Sequence, residues 1–168
     1  PEARLASAFY RDYLKRVIDL IIAIPVLIIA LIPMLVTAIA VKLDSPGPVL
    51  FKQERLGKNG KIFKMLKFRS MCVGAEKTGS GVYSGKNDSR VTRVGKLIRA
   101  TSLDELPQLF NVLRGDMSLI GPRPPLTYHP WSLKEYSKEQ KHMFAVRPGF
   151  SGWAQINGRK DVEWHHRI

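Results

Sequence analysis

The sequence has very little cysteine. Cys72 stands alone among 168 residues, so the chain cannot close an intrachain disulfide, and a small secreted scaffold held by disulfides is excluded. Metal sites built from several thiolates are excluded by the same count, so a bound metal must be held by oxygen or imidazole. A reducing, cytoplasm-facing location fits this composition.

Acidic residues are also scarce, with 14 Asp and Glu against 27 Lys and Arg, a net charge of +13 and a pI near 10.1. A membrane-tethered nucleic-acid binder is one class of protein with such a charge. Neither an aromatic and basic RNA-binding motif nor a helix-turn-helix pattern accompanies it, which argues against a nucleic-acid partner. Hydrophobic residues make up 45% of the chain, too many for a disordered protein, and the length fits one compact unit.

The apolar residues are concentrated near the N-terminus. Residues 17–41 contain only Asp19, two prolines and one threonine besides Ala, Val, Ile, Leu and Met, and no Lys or Arg. This run exceeds the roughly 20 residues that cross a bilayer, which predicts a membrane segment. Pro25 lies about a third of the way along, where it removes a backbone hydrogen bond, so a sharp kink is predicted there. Asp19 follows Arg16 by three residues, a spacing that predicts an interfacial ion pair.

Three interpretations of this segment stay open on these residues alone. It is a helix-break-helix that enters one leaflet and returns, a straight transmembrane anchor, or the core helix of a soluble protein. Basic residues flank both ends, with Arg16 before the run and Lys42 after it. The positive-inside rule therefore gives no preferred orientation, and both flanks look cytoplasmic.

Short elements separated by turn residues are predicted after the apolar run. Prolines and a glycine within residues 44–48 end the helix. Residues 49–54 and 61–65 flank an Asn-Gly turn, which accepts positive φ angles and predicts a β-hairpin. Residues 74–88, rich in Gly, Ser and Lys, predict either a mobile loop that closes over a substrate or a connector without a role.

The centre of the chain carries the candidate site residues. Residues 93–100 have a helical pattern whose basic side chains form either a solvated face or an anion site. Ser102 and Glu105 have the spacing of a capping box, which predicts a helix starting at Ser102. Asp104 and Glu105 then either balance the helix dipole, or act as nucleophile and metal ligand beside a phosphate at the helix N-terminus.

A stiff segment follows a predicted short strand at residues 117–120. Arg123 stands between prolines in Gly121-Pro122-Arg123-Pro124-Pro125. Proline fixes the backbone, so the guanidinium is presented with little conformational freedom, which suits bidentate phosphate binding. A polyproline surface loop with an incidental arginine is the alternative.

Several ordered motifs together resemble the bacterial sugar transferases, the monotopic polyprenyl-phosphate phosphoglycosyl transferases. The likeness covers roughly residues 10–164. The motifs are Lys15-Arg16-Val17-Ile18-Asp19, Lys67-Phe68-Arg69-Ser70-Met71, Leu103-Asp104-Glu105-Leu106-Pro107-Gln108, Gly115-Asp116-Met117-Ser118, Gly121-Pro122-Arg123-Pro124 and Arg147-Pro148-Gly149-Phe150-Ser151-Gly152-Trp153-Ala154-Gln155.

The resemblance implies an enzyme that moves a sugar-1-phosphate from a UDP-sugar to undecaprenyl phosphate and releases UMP. It places a covalent phosphosugar on Asp104, a magnesium ion on Glu105 with Asp104, and Mn²⁺ as an alternative metal. By motif, Arg99 and Arg123 become phosphate contacts and Lys67 an active-site cation. A catalytically impaired, membrane-associated scaffold is the alternative function.

The resemblance also implies an architecture. We expect an α+β, mainly helical fold with a re-entrant helix-break-helix in residues 1–43, kinked at Pro25, and a cytosolic catalytic domain with a β-hairpin in residues 44–168. Family members usually continue past the tryptophan that matches Trp164, so we expect this chain to be C-terminally short. The expected location is the cytoplasmic face of a bacterial inner membrane. The sugar, the glycan pathway and the oligomeric state do not follow from the sequence.

Overall fold

A computed structural model describes residues 9–79, 88–128 and 131–152. The predicted mixture of helix and strand is confirmed in these ranges. The helices are α1 (Lys15–Asp44), α2 (Arg93–Ala100) and α3 (Gln108–Arg114), and the strands are β1 (Leu50–Leu56), β2 (Ile62–Phe68), β3 (Ser118–Ile120) and β4 (Gly149–Ser151). Most of the predicted loop at 74–88, the end of the Arg147 motif and Trp164 lie outside the described residues.

Helix α1 is continuous from Lys15 to Asp44 and passes through Pro25 and Pro33. The helix therefore has no gap at Pro25, and the predicted kink there stays a prediction. Proline removes one N–H donor but its φ angle is helical, and long apolar helices tolerate it where the freed carbonyl finds another partner. Re-entry of this segment into one leaflet stays a prediction.

The surface of α1 is mostly apolar and uncovered. The most apolar 18-residue stretch of α1 has a mean hydropathy of 2.9, and only 28% of this stretch is buried. The length and composition of α1 are sufficient to cross a membrane. A core helix of a soluble protein would be mostly buried, so this low burial favours a lipid environment. The buried positions recur every three or four residues along one face: Asp19, Ala23, Leu27, Ala30, Met34, Thr37 and Val41.

The hairpin prediction is confirmed, with longer strands than the sequence pattern indicated. β1 and β2 pair in a two-stranded sheet. In the turn between them Asn59 has φ 57° and Gly60 has φ 71°, the left-handed values that an Asn-Gly pair adopts at small cost. A Cβ at Gly60 would also meet the end of the Leu133 side chain, which would have to shift.

The chain divides into two compact units. The first combines the described residues of Pro1–Ile28, Gln53–Met65 and Gln108–Ile168, and the second comprises Ile29–Lys52 and Leu66–Pro107 among the described residues. The predicted boundary between residues 43 and 44 stays a prediction.

The first unit contains a parallel strand pair and the principal core. Ser118 of β3 lies opposite Gly149 of β4, and Met117 and Val112 are fully buried beside Ala23 and Met65. A second cluster surrounds Tyr136, Phe144 and Leu56. Tyr136 is 2% exposed and packs edge-on against Trp131 with ring centroids 5.5 Å apart, so it belongs to this second core cluster. Burial raises the pKa of its hydroxyl to about 12.

A buried carboxylate ties α1 to β3 within the same unit. Asp19 is 4% exposed, accepts a hydrogen bond from Ser118 Oγ at 2.7 Å and another from the Leu119 N–H at 3.2 Å. Its ion-pair partner is Lys15, at 3.4 Å, whereas the predicted partner was Arg16. The Arg16 guanidinium instead donates to the Leu113 carbonyl at 2.7 Å, because the end of α3 leaves its carbonyls without intrahelical donors.

Asp19→Ala is expected to lower the free energy of unfolding of the first unit by about 3 kcal/mol. The substitution removes one partner of a buried ion pair and leaves its donors unsatisfied. Thermal unfolding in one detergent would measure the loss. Asp116→Ala removes a carboxylate from the more exposed pair with Arg114 and is the control, with a smaller expected loss; equal losses would contradict a special role for Asp19.

Candidate active site

A short turn carries the two candidate carboxylates. Leu103–Glu105 form one 3-10 turn, which Ser102 enters with φ 61°. The predicted capping box is wrong, because the Ser102 side chain makes no capping hydrogen bond there, and α3 begins only at Gln108. A left-handed residue cannot continue a helix, so Ser102 separates α2 from the turn and the carboxylates stand on the turn itself.

Glu105 is paired with a cation from β2. Lys67 Nζ lies 3.3 Å from Glu105 Oε1, and the two side chains are only 16% and 14% exposed. At this burial the pair is screened less than a surface salt bridge, so both side chains are held in place. The predicted active-site position of Lys67 is consistent with this contact.

The carboxyl group of Asp104 has a raised pKa. Burial raises its pKa above the ordinary value, and the negative charge of Glu105 acts in the same direction. The positive charges of Lys67 and Arg99 oppose this rise. Desolvation combined with specific charged neighbours is typical of functional carboxylates.

Helix α2 brings Arg99 to this turn. Its predicted range, residues 93–100, is confirmed, and the Thr92 side chain caps it by accepting from the Gly95 N–H at 2.9 Å. Arg99 occupies the last turn and is half-buried, whereas Arg93 and Lys96 are exposed. The basic residues of α2 therefore divide between a solvated face and one arginine whose charge acts on Asp104.

Arg123 lies in the first unit, on the proline-rich segment after β3. It lines a small, shallow cleft with Met143, Phe144 and Pro148. The structure thus brings Asp104, Glu105, Lys67 and Arg99 together within the second unit. The place of Arg123 beside them stays a prediction.

The carboxylates suit a hard divalent cation that also binds phosphate. Among residues 9–79, 88–128 and 131–152, there is no cluster of three or more His, Cys, Asp or Glu side chains fit for a metal. Mg²⁺ is usually held by one or two carboxylates together with substrate phosphates and water. Adjacent half-buried Asp104 and Glu105 fit that smaller donor set.

The sequence model of the family described as "Bacterial sugar transferase" matches residues 10–168. The chain belongs to this family. It is 46% identical over 152 residues to an Aeromonas hydrophila protein named UDP-N-acetylgalactosamine-undecaprenyl-phosphate N-acetylgalactosaminephosphotransferase, covering 90% of this chain and 36% of that protein. An Escherichia coli K12 relative, named UDP-glucose:undecaprenyl-phosphate glucose-1-phosphate transferase, is 46% identical over 86% of this chain and 31% of its own length.

A Bacillus subtilis relative named uncharacterized sugar transferase EpsL is 44% identical over 92% of this chain and 74% of its own length. This chain spans about a third of the length of the Aeromonas and Escherichia relatives.

Two residues of this chain were not predicted as structurally important. Asp19 was assigned an interfacial ion pair but lies in the buried contact with β3, and Arg69 appeared only within a motif. Arg69 is 6% exposed and binds the end of α1, a contact between residues more than twenty apart. One signal in the sequence could have pointed to Arg69. It follows Lys67 by two residues, and alternate residues of a strand share a face.

Proposed function

We propose that this chain moves a sugar-1-phosphate from a UDP-sugar to undecaprenyl phosphate through a covalent intermediate on Asp104. The observation that carries the proposal is the Asp104 carboxyl, desolvated and flanked by the Lys67–Glu105 pair, in a chain of this family. The names of the relatives give the acceptor as undecaprenyl phosphate.

In the first step an Asp104 carboxylate oxygen attacks the phosphorus that bears the sugar. The bond from that phosphorus to the bridging oxygen breaks, and UMP leaves with the electron pair. In the second step an oxygen of undecaprenyl phosphate attacks the same phosphorus, and the bond to Asp104 breaks. The products are the free carboxylate and a diphosphate-linked lipid sugar.

The charged neighbours make this attack possible. Both substrates carry negative phosphates and must approach a negative carboxylate, so the cations Lys67, Arg99 and Arg123 reduce the repulsion and stabilise the transferring oxygens. Glu105 and Asp104 would hold Mg²⁺, with Mn²⁺ as an alternative. When bound, the metal supplies Lewis-acid stabilisation of phosphate charge.

The membrane segment would bring this chemistry to the lipid. We propose that α1 enters the cytoplasmic leaflet of the bacterial inner membrane and returns, bending at Pro25. The phosphate of the acceptor lies at headgroup level, so a site near that plane receives it without extracting the long chain. The net charge of +13 suits a surface that faces anionic phospholipids.

Labelling at the two ends of α1 tests the proposed topology. With Cys72 replaced by serine, single cysteines at Phe9 and Lys52 are expected to react with a membrane-impermeant maleimide from the same side of sealed vesicles. Both positions are exposed, and re-entry leaves both ends in the cytoplasm. Reaction from opposite sides would establish a straight transmembrane helix instead.

The pH dependence of the first step should report on Asp104. Only the ionised carboxylate is a nucleophile, and burial raises its pKa. The rate is therefore expected to rise with pH, and this rising limb of the pH–rate profile should be centred above the ordinary Asp pKa of about 3.9. Lys67→Met removes a charge that lowers this pKa and should move the limb to higher pH. Lys96→Met, on the exposed face of α2, is the matched control; equal limbs in both variants would contradict the assignment.

Incubation of the chain with a panel of UDP-sugars and Mg²⁺ tests the function itself. Mass spectrometry is expected to show one phosphosugar added to the peptide that contains Asp104, with one UMP released. Undecaprenyl phosphate should then remove the added mass. Absence of UMP release and of the adduct with every donor would overturn the proposal.

A further inference from the structure

The end of α1 is held by a buried arginine outside the catalytic turn. Arg69 donates from Nη2 to the Ser45 carbonyl at 2.6 Å and from Nη1 to the Pro46 carbonyl at 2.8 Å. The same Nη2 reaches Ser45 Oγ at 3.0 Å and the Val41 carbonyl at 3.4 Å. A helix C-terminus has carbonyls without intrahelical donors and a partial negative charge. The guanidinium binds one of these carbonyls, that of Val41, and ties the last turn of α1 to the residues that follow it, Ser45 and Pro46.

Two further hydrogen bonds complete a closed junction within the second unit. The Ser70 carbonyl accepts from the Thr92 N–H at 3.1 Å, which joins the end of β2 to the start of α2. The Val94 N–H donates to Asp44 Oδ2 at 3.1 Å, which joins α2 to the last residue of α1. We call these contacts, together with those of Arg69, the helix-end junction.

Glycines permit the close approaches in this junction. A Cβ at Gly95 would collide with the Ser70 carbonyl, and a Cβ at Gly47 would collide with Nη1 of Arg69. Gly47 also has φ 120°, a conformation that is strained for other residues. The junction is therefore a tightly fitted arrangement that has little room to move.

The helix-end junction holds the two elements that carry Lys67 and Arg99, the cations near the carboxylates. The Arg69 N–H bonds the Val49 carbonyl at 2.9 Å, so the strand pairing continues past β2, and side chains two residues apart share a face of a strand. Lys67 is therefore on the Arg69 face, and it pairs with Glu105. Arg99 is on α2, whose first turn is held by Asp44.

We propose that Arg69 is a positioning residue for the transfer reaction, which holds the end of the membrane helix against β2 and thereby sets where Lys67 meets Glu105. The inference rests on the proposed function and deepens it. It links the placement of α1 in lipid to the geometry of the carboxylate turn. Arg69 acts through Lys67 and is not itself a catalytic residue.

A double-mutant cycle between Arg69 and Lys67 tests this role. The full chain in lipid nanodiscs is assayed for UMP release with the donor that the wild type uses. Arg69→Met is expected to lower kcat about tenfold, with donor KM within about twofold, as for the loss of other supporting residues. In the Lys67→Met background the same change is expected to cost less than about twofold, because its effect passes through Lys67.

Arg90→Met is the matched control. The Arg90 side chain is also largely buried in the second unit, where it pairs with Asp88 and donates to the Ala75 carbonyl at 2.6 Å. Its loss should cost the same factor in both Lys67 backgrounds. Arg69→Lys, which keeps a cation at the helix end, should recover part of kcat, and it replaces Arg69→Met in the cycle if that variant does not fold.

The outcomes separate the two proposals. An active wild type whose Arg69 variants keep full kcat, or lose the same factor with and without Lys67, overturns the positioning role and leaves the proposed function standing. A wild type that releases no UMP with any donor overturns the proposed function. Coupling between Arg69 and Lys67 together with additivity at Arg90 supports the positioning role.

Discussion

Asp104→Asn is expected to lower sugar phosphate transfer by at least about a thousandfold and to abolish the covalent adduct. The amide is nearly the same size as the carboxylate but cannot donate an electron pair to phosphorus at a useful rate. UMP release and the mass of the intact protein measure the two effects. Near-normal turnover would remove Asp104 from the nucleophile role.

The stability of the same variant separates chemistry from folding. Burial raises the folded-state pKa of Asp104, so the folded protein favours the protonated form, and stability falls as pH rises from the unfolded to the folded pKa. Above that window the ionised carboxylate destabilises the fold. Asp104→Asn is therefore expected to melt at the wild-type temperature or higher at pH 7. A clear decrease would attribute the lost activity to unfolding.

Glu105→Gln has the second largest expected effect. We expect sugar phosphate transfer to fall about a hundredfold and the normal response of activity to Mg²⁺ to be lost. The amide keeps the shape of the side chain but removes the charge that would hold the metal and that pairs with Lys67 at 3.3 Å. Titration of activity with Mg²⁺ in wild type and variant measures the change. An unchanged titration curve would show that Glu105 is not a metal ligand.

Lys67→Met serves as the control for that experiment. It breaks the same ion pair from the other side while leaving the Glu105 carboxylate in place. We expect it to lower activity but to retain a saturable response to Mg²⁺. If both variants lost the metal response equally, the ion pair and not the Glu105 carboxylate would account for the effect.

Local signals in the sequence predicted local structure well. The hairpin turn at Asn59-Gly60 and the helix at residues 93–100 are confirmed, because turn chemistry and helical periodicity act over a few residues. The capping-box prediction failed at Ser102 for a local reason as well. Its spacing matched the motif, but Ser102 has a left-handed backbone and its side chain makes no capping hydrogen bond.

Contacts between distant segments were beyond the sequence pattern. The partners of Asp19 lie about a hundred residues away on β3, and the acceptors of Arg69 lie more than twenty residues before it. Neither follows from spacing or charge. The motif resemblance predicts Asp104, Glu105, Lys67 and Arg99 as site residues, and the structure brings these four side chains together. The resemblance carries no information about the contacts that hold them in place.

The contacts of α1 bear on how a water-soluble form of this protein should be sought. Deleting α1 would remove the buried acceptor of Ser118 and Leu119 and the Val41 carbonyl, one of the four oxygens that Arg69 binds. The other three belong to Ser45 and Pro46, which follow the helix. Helix α1 therefore takes part in stabilising contacts in both units. A water-soluble form is better sought by replacing the exposed isoleucines and leucines of α1 with polar residues than by deleting the helix.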